Sequence, residues 1–282
     1  LQELGRLDPA RADFEAARAL FAAAGPEHRG PLAATLHNLG WAARRQGDGA
    51  GAQALLEQAL AMKLAEFGAL HPSTFNTRGL LALVESEAGA FDAAVTRLEA
   101  LLVDQRELLG EPSAPIARTL SDLGFNLHDA GRLDEAAVHL RAAIQQHDRL
   151  GTSGVERAPP LNNYASLLED QERFAEAEPL FRQSLAIRQQ AQASPQSIAR
   201  AHNNLARLLL LTGRTEQALR EAEAAWALRQ TLEPATHADR LDAQLMLARV
   251  RLASGDVVAA EAQLRPVDEA LGAEAMPLLR AR

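Results

Sequence analysis

Small and large apolar residues recur along this chain on a beat of about forty-two positions. An alanine stands at Ala10, Ala52, Ala94, Ala136, Ala177, Ala218 and Ala260. Four residues after each comes Phe14, Leu56, Leu98, Leu140, Phe181, Ala222 or Leu264, large in every case but one. Four residues make about one helical turn, so each pair shares a helix face. Upstream of the alanines a large residue is followed at once by a small one: Leu39-Gly40, Leu81-Ala82, Leu123-Gly124, Tyr164-Ala165, Leu205-Ala206 and Leu247-Ala248. Such a pair lets two helices approach closely while the large side chain fills the gap between them. Between the two patterns lies a glycine slot, at Gly5, Gly47, Gly89, Gly131, Gly213 and Gly255, with Glu172 in the remaining place. The spacings are 42, 42, 42, 41, 41 and 42. Glycine reaches the left-handed conformation that ends one helix and frees the chain to turn into the next.

Each period therefore predicts a helix hairpin, and breakers separate one hairpin from the next: Gly25-Pro26, His71-Pro72, Glu111-Pro112, Pro159-Pro160, Ser194-Pro195 and Glu233-Pro234. Six full repeats are expected near 31–66, 73–109, 114–150, 157–192, 196–231 and 235–271. A half repeat fills 1–25, with a turn at Gly5 and a helix from about Asp8 to Ala24, and 272–282 is a tail. The expected fold is all-α, one repeat domain over 1–282. A repeat buries its apolar face only against its neighbours, so a chain starting inside a repeat at Leu1 implies further repeats upstream or a homodimer contact through the half repeat.

Composition agrees, since Ala, Leu, Arg, Glu and Gln are strong helix formers. A net charge of −8 gives no basic field for nucleic acid or an anionic membrane, so neither is expected as a partner. Apolar runs such as Leu208 to Leu211 fall far short of the roughly 20 residues of a membrane helix. The absence of cysteine removes disulfides and thiolate chemistry and fits a cytoplasmic location.

Candidate chemistry is sparse. There is no G-x-x-x-x-G-K phosphate loop, no histidine pair at helical metal-site spacing and no nucleophile elbow. The carboxylate pairs Glu169-Asp170 and Asp134-Glu135 read as solvated helix ends. No catalytic residue, metal or cofactor is expected.

The stretches Leu36-His37-Asn38-Leu39-Gly40, Leu161-Asn162-Asn163-Tyr164-Ala165 and His202-Asn203-Asn204-Leu205-Ala206, with Gly131 to Ala136 and Ala177 to Arg182, resemble the tetratricopeptide-repeat family. The long period is similar to its kinesin-light-chain-like subclass. The resemblance implies a right-handed superhelix of paired helices whose first helices line a concave groove that holds a peptide. By register, Asn38, Asp122, Asn163 and Asn204 precede the large residue, while Trp41, Phe125 and Arg207 follow the small one and Arg45 lies a turn further on. An asparagine there can donate to a peptide carbonyl and accept from a peptide N–H, and an exposed aromatic makes a good anchor. The implied function is a non-catalytic interaction scaffold. Similar arrays follow bacterial serine/threonine kinase domains and occur in transcriptional regulators, so a sensor or docking region of a larger protein is the first alternative. A self-assembling structural solenoid is the second.

Overall fold

The computed structural model describes residues 4–232 and 237–271. These residues form helices and connecting turns and no strand. They fall into two compact units, residues 1–151 and 152–282. Unit one holds α1 (Leu4–Ala24), α2 (Arg29–Arg45), α3 (Gly49–Phe67), α4 (Pro72–Glu87), α5 (Phe91–Leu109), α6 (Ala114–Asp129) and α7 (Leu133–Leu150). Unit two holds α8 (Ala158–Asp170), α9 (Phe174–Gln190), α10 (Pro195–Leu211), α11 (Thr215–Leu232), α12 (Ala238–Ala253) and α13 (Val257–Leu271). From α2 onward the helices alternate as first and second members of antiparallel hairpins, and each lies within a few residues of its expected span.

The hairpin turns follow from the slot. Gly47, Gly89, Gly131, Gly213 and Gly255 all have φ between 73° and 84°. In the first of these turns the Gly47 amide donates to Arg44 O at 3.0 Å and the Asp48 amide to Ala43 O at 3.0 Å. Those two bonds satisfy carbonyls that the helix end would otherwise leave open. Glu172 adopts the same left-handed conformation, φ 57°, although a residue with a Cβ spends about 1 kcal/mol more to do so.

Packing follows from the small residues. The six register alanines from Ala52 to Ala260 are at most 1% exposed. Gly40 and Gly124 answer to closeness of approach: a Cβ on Gly124 would lie 2.4 Å from Leu140 Cγ, and one on Gly40 would lie 2.6 Å from Leu56 Cγ. In unit two Leu168, Phe181, Leu205, Leu209 and Val250 fill the same kind of interior.

One expectation is corrected. Helix α1 runs unbroken from Leu4, so Gly5 lies inside a helix and makes no turn. Glycine permits a left-handed turn without forcing one, and the described chain holds no earlier helix for Gly5 to cap. The boundary between the two units falls at Gly151, where α7 ends in the longest described loop. The expected tail at 272–282 lies outside the described residues.

One feature of the interior has no counterpart in the sequence reading. Three turns after the register alanine five of the second helices carry a polar residue: Lys63, Gln105, His147, Arg188 and Arg229. Within the units these reach the first helix of the following repeat. Lys63 Nζ donates to Ser73 O at 3.2 Å and Thr77 Oγ1 at 2.9 Å, and Gln105 Oε1 accepts from Thr119 Oγ1 at 2.8 Å. Arg188 meets Ser197, and Arg229 Nη1 pairs with Asp239 at 2.9 Å.

Candidate functional site

Once the hairpins have packed, each first helix of unit one keeps one stripe exposed, at helical spacing. On α2 the stripe is Ala34, Asn38, Trp41 and Arg45; on α4 it is Asn76, Leu83 and Glu87 with Leu80 half-buried; on α6 it is Arg118, Asp122, Phe125 and Asp129. His37 Nδ1 lies 3.1 Å from Thr77 Oγ1, and Arg44 makes two 2.9 Å hydrogen bonds to Glu87, so α2 and α4 stand side by side. Read across the helices, the stripes give an apolar row, Trp41, Leu83 and Phe125, with side chains 41, 41 and 39% exposed. Arg45 lies over the face of the Trp41 ring at 5.8 Å, a cation–π contact.

The stripes of unit two have another chemistry. On α8 they are Pro159, Asn163, Ser166 and Asp170, on α10 Arg200, Asn204, Arg207 and Leu211, and on α12 Asp242, Arg249 and Ala253 with Met246 buried. The expected site residues thus separate into two groups. Asn38, Trp41, Arg45, Asp122 and Phe125 stand on unit one, and Asn163, Asn204 and Arg207 on unit two.

Two of the latter are already engaged. Asn204 Nδ2 donates to Asn162 Oδ1 at 3.0 Å, tying α10 to α8. Arg207 Nε approaches Glu169 Oε1 at 2.7 Å at an angle poor for a hydrogen bond, while its Nη2 donates to Oε2 at 3.4 Å. The Glu169 carboxylate of this ion pair is almost wholly buried, while the Arg207 side chain is partly exposed. Burial raises the Glu169 pKa, and Arg207 draws it back. Asn38 and Asn163 have no hydrogen-bond partner among the described residues.

Ionisation on unit one is unusual at two places. His37 is pushed down to about 4, first by burial and then by the positive charge of Lys63. Lys63 is itself only 3% exposed, and burial lowers its pKa. Desolvation raises the Asp122 pKa to about 6 against the pull of Arg118. Sequence reasoning missed Lys63 and Thr77. The signal that could have found Lys63 is its register, a polar residue repeated at the same step in the next four second helices.

No group of acidic, histidine or cysteine side chains among the described residues is arranged to hold a metal ion. No described helix is long and apolar enough to cross a membrane. A tetratricopeptide-repeat family model matches residues 1–65, 32–102 and 115–190, and a second model of the same repeat matches 199–224 and 241–266. No curated protein matches the chain. Among solved structures, a putative kinesin light chain from Podosopora anserina with nearly identical TPR-like repeats is 23% identical, with a TM-score of 0.59 over 71% of this chain and 95% of that one. BtubC from P. vanneervenii is 23% identical, with a TM-score of 0.64 over 83% of this chain and 95% of that one. The apo form of RapI is 15% identical, with a TM-score of 0.70 over 94% of this chain and 91% of that one. At these identities the likeness concerns the fold.

Proposed function

The chain belongs to the tetratricopeptide-repeat family, whose fold makes it a protein-interaction scaffold, and on that premise we propose that the exposed faces of its first helices hold a segment of a partner protein. The observation that carries this reading is the row Trp41, Leu83 and Phe125. Most large apolar side chains of the first helices are buried, yet at one register position three successive hairpins present one to solvent. Large apolar anchors on a fixed frame are what binding faces use, because they gain contact area at little cost in conformational freedom. On unit one the amide of Asn38 adds a group able to donate and accept beside that row.

The test is affinity capture with three baits: the parent chain, the Trp41→Ala/Phe125→Ala variant, and a control on the second helices, Gln183→Ala/Arg220→Ala, where both residues are exposed. Proteins retained by the parent and the control but reduced about tenfold or more on the first variant are the expected result. Equal recovery on all three baits removes the first-helix face from consideration.

A further inference from the structure

The apolar row of unit one also bears on the form of its occupant. An extended segment brings an unpaired N–H and C=O with every residue, and the surface that holds it must answer both. Beside the apolar row stand Asn38, Leu80 and Asp122. Asparagine donates and accepts, an ionised carboxylate only accepts, and leucine does neither. Asn76, the other exposed amide of these stripes, lies one turn further out, in line with Ala34 and Arg118. An extended backbone would therefore find one suitable group along a row that crosses three helices. An α-helix satisfies its own backbone and asks chiefly for apolar contact.

Spacing points the same way. Neighbouring packed helices lie about 8–10 Å apart, so Trp41 and Leu83, on the side-by-side α2 and α4, stand about one such step apart. Residues seven apart on a helix share a face at about 10.5 Å, whereas residues on one face of a strand recur about every 7 Å. Charge completes the description. The row beyond the anchors runs from Arg45 through Glu87, bonded to Arg44, to Asp129. A complementary helix is acidic over α2 and basic over α6.

Resting on the function proposed above, we infer that unit one receives its partner as an amphipathic α-helix laid across α2, α4 and α6, with apolar residues at heptad spacing on Trp41, Leu83 and Phe125. The test uses the whole chain and three fluorescein-labelled peptides of roughly 18 residues, long enough for two heptad steps. The first places leucines on one helical stripe, with Glu at one end and Lys at the other. The second has the same composition with the leucines scattered around the helix. The third is the first with two central residues changed to proline.

Fluorescence anisotropy should show the first peptide binding about tenfold or more tightly than the other two. Its circular dichroism should turn helical on binding. Trp41→Ala/Phe125→Ala should weaken it about tenfold, and the single exposed change Leu83→Gln, which leaves the packing of α4 alone, should weaken it in the same direction. Equal binding of the proline peptide overturns the helical form while leaving the proposed function to the capture experiment. Binding of the first peptide that ignores all three substitutions, or no binding of any peptide, overturns the inference outright.

Discussion

In unit one the position after the small residue of the seam holds Trp41, Leu83 and Phe125; in unit two the same position holds Ser166, Arg207 and Arg249. One position earlier than the large residue, unit one has Asn38, Leu80 and Asp122, while unit two has Asn163, Asn204 and the buried Met246. The hairpins beneath are alike, with closed alanines at Ala94 and Ala136 in one unit and at Ala177 and Ala218 in the other. The difference shows where sequence freedom lies in this architecture. A position that meets a neighbouring helix has one acceptable size, and a position that meets solvent is free to carry an anchor, an amide or a charge.

The strongest way to test that division is to move a residue of unit two into the seam of unit one. Ala206 occupies in unit two the place that Gly124 occupies in unit one. Gly124→Ala would press a methyl against Leu140 Cγ, at 2.4 Å before relaxation, and should cost about 1–3 kcal/mol. Ala136→Leu, at a site with no exposed surface, should cost about 3 kcal/mol or more. The chain has two tryptophans, Trp41 and Trp226, so a Trp226→Phe background leaves Trp41 as the reporter of unit one. Urea unfolding followed at that indole should shift to lower midpoint in both variants. An unchanged midpoint for Gly124→Ala would mean that closeness of approach does not explain the glycine.

Acid should expose a second difference. His37 of unit one sits two residues before the large seam residue, where unit two has the amides Asn162 and Asn203. Its folded pKa of about 4 lies below the ordinary 6.5. Above pH 6.5 neither state is protonated and the contribution to stability is fully present. As pH falls from 6.5 towards 4 the unfolded chain takes up a proton that the folded chain refuses, and stability declines by on the order of 2–3 kcal/mol. Asp122 acts in the opposite sense: its raised pKa favours the folded chain as pH falls from about 6 to 3.8. Comparing the parent with His37→Gln isolates the first effect. Unfolding of the variant at Trp41 should lose the share of the decline that His37 contributes and keep that of the other titrating groups, His139 among them. Parallel pH profiles for the two proteins would show that Lys63 and burial do not hold His37 neutral.

Much of the hairpin frame was legible because packing writes directly into sequence. Ala136 has to be small, Leu123 has to be large, and the slot at the turn of each hairpin has to reach positive φ, so each leaves a mark at every period. The pairing of side chains across repeats left no such mark. Nothing in the chain of letters separates Asn204, which bonds to Asn162, from Asn163, which bonds to nothing among the described residues. Arg207 and Arg249 likewise share a register, yet only Arg207 has a buried Glu169 beneath it. Charge on a second helix is ordinarily solvated, and Lys63 and Arg229 are buried only because the next repeat covers them. Gly5 had the right spacing but lay in a helix. The exposed row of Trp41 and Phe125 was legible as a register position, and its openness to solvent became visible once the neighbouring helices were in place.

The smallest expected effect concerns the two amides of unit two and separates frame from face within a single register position. Asn204→Ala removes the donor that meets Asn162 Oδ1 at 3.0 Å and leaves that half-buried oxygen without its protein partner. The cost should be about 0.5–1.5 kcal/mol, the usual net worth of a side-chain hydrogen bond. Asn163→Ala removes a side chain with no such partner and should change stability by less than about 0.5 kcal/mol. In a Trp41→Phe background, Trp226 reports the unfolding of unit two, and urea titrations of the two variants measure the difference. A lower midpoint for Asn204→Ala with Asn163→Ala unchanged leaves Asn163 as the amide available to a partner and assigns Asn204 to the frame. Equal losses would mean that Asn163 also supports its neighbours, and unit two would then present to a ligand only its charged and hydroxyl positions, Ser166, Arg207 and Arg249, opposite in kind to the apolar row of unit one.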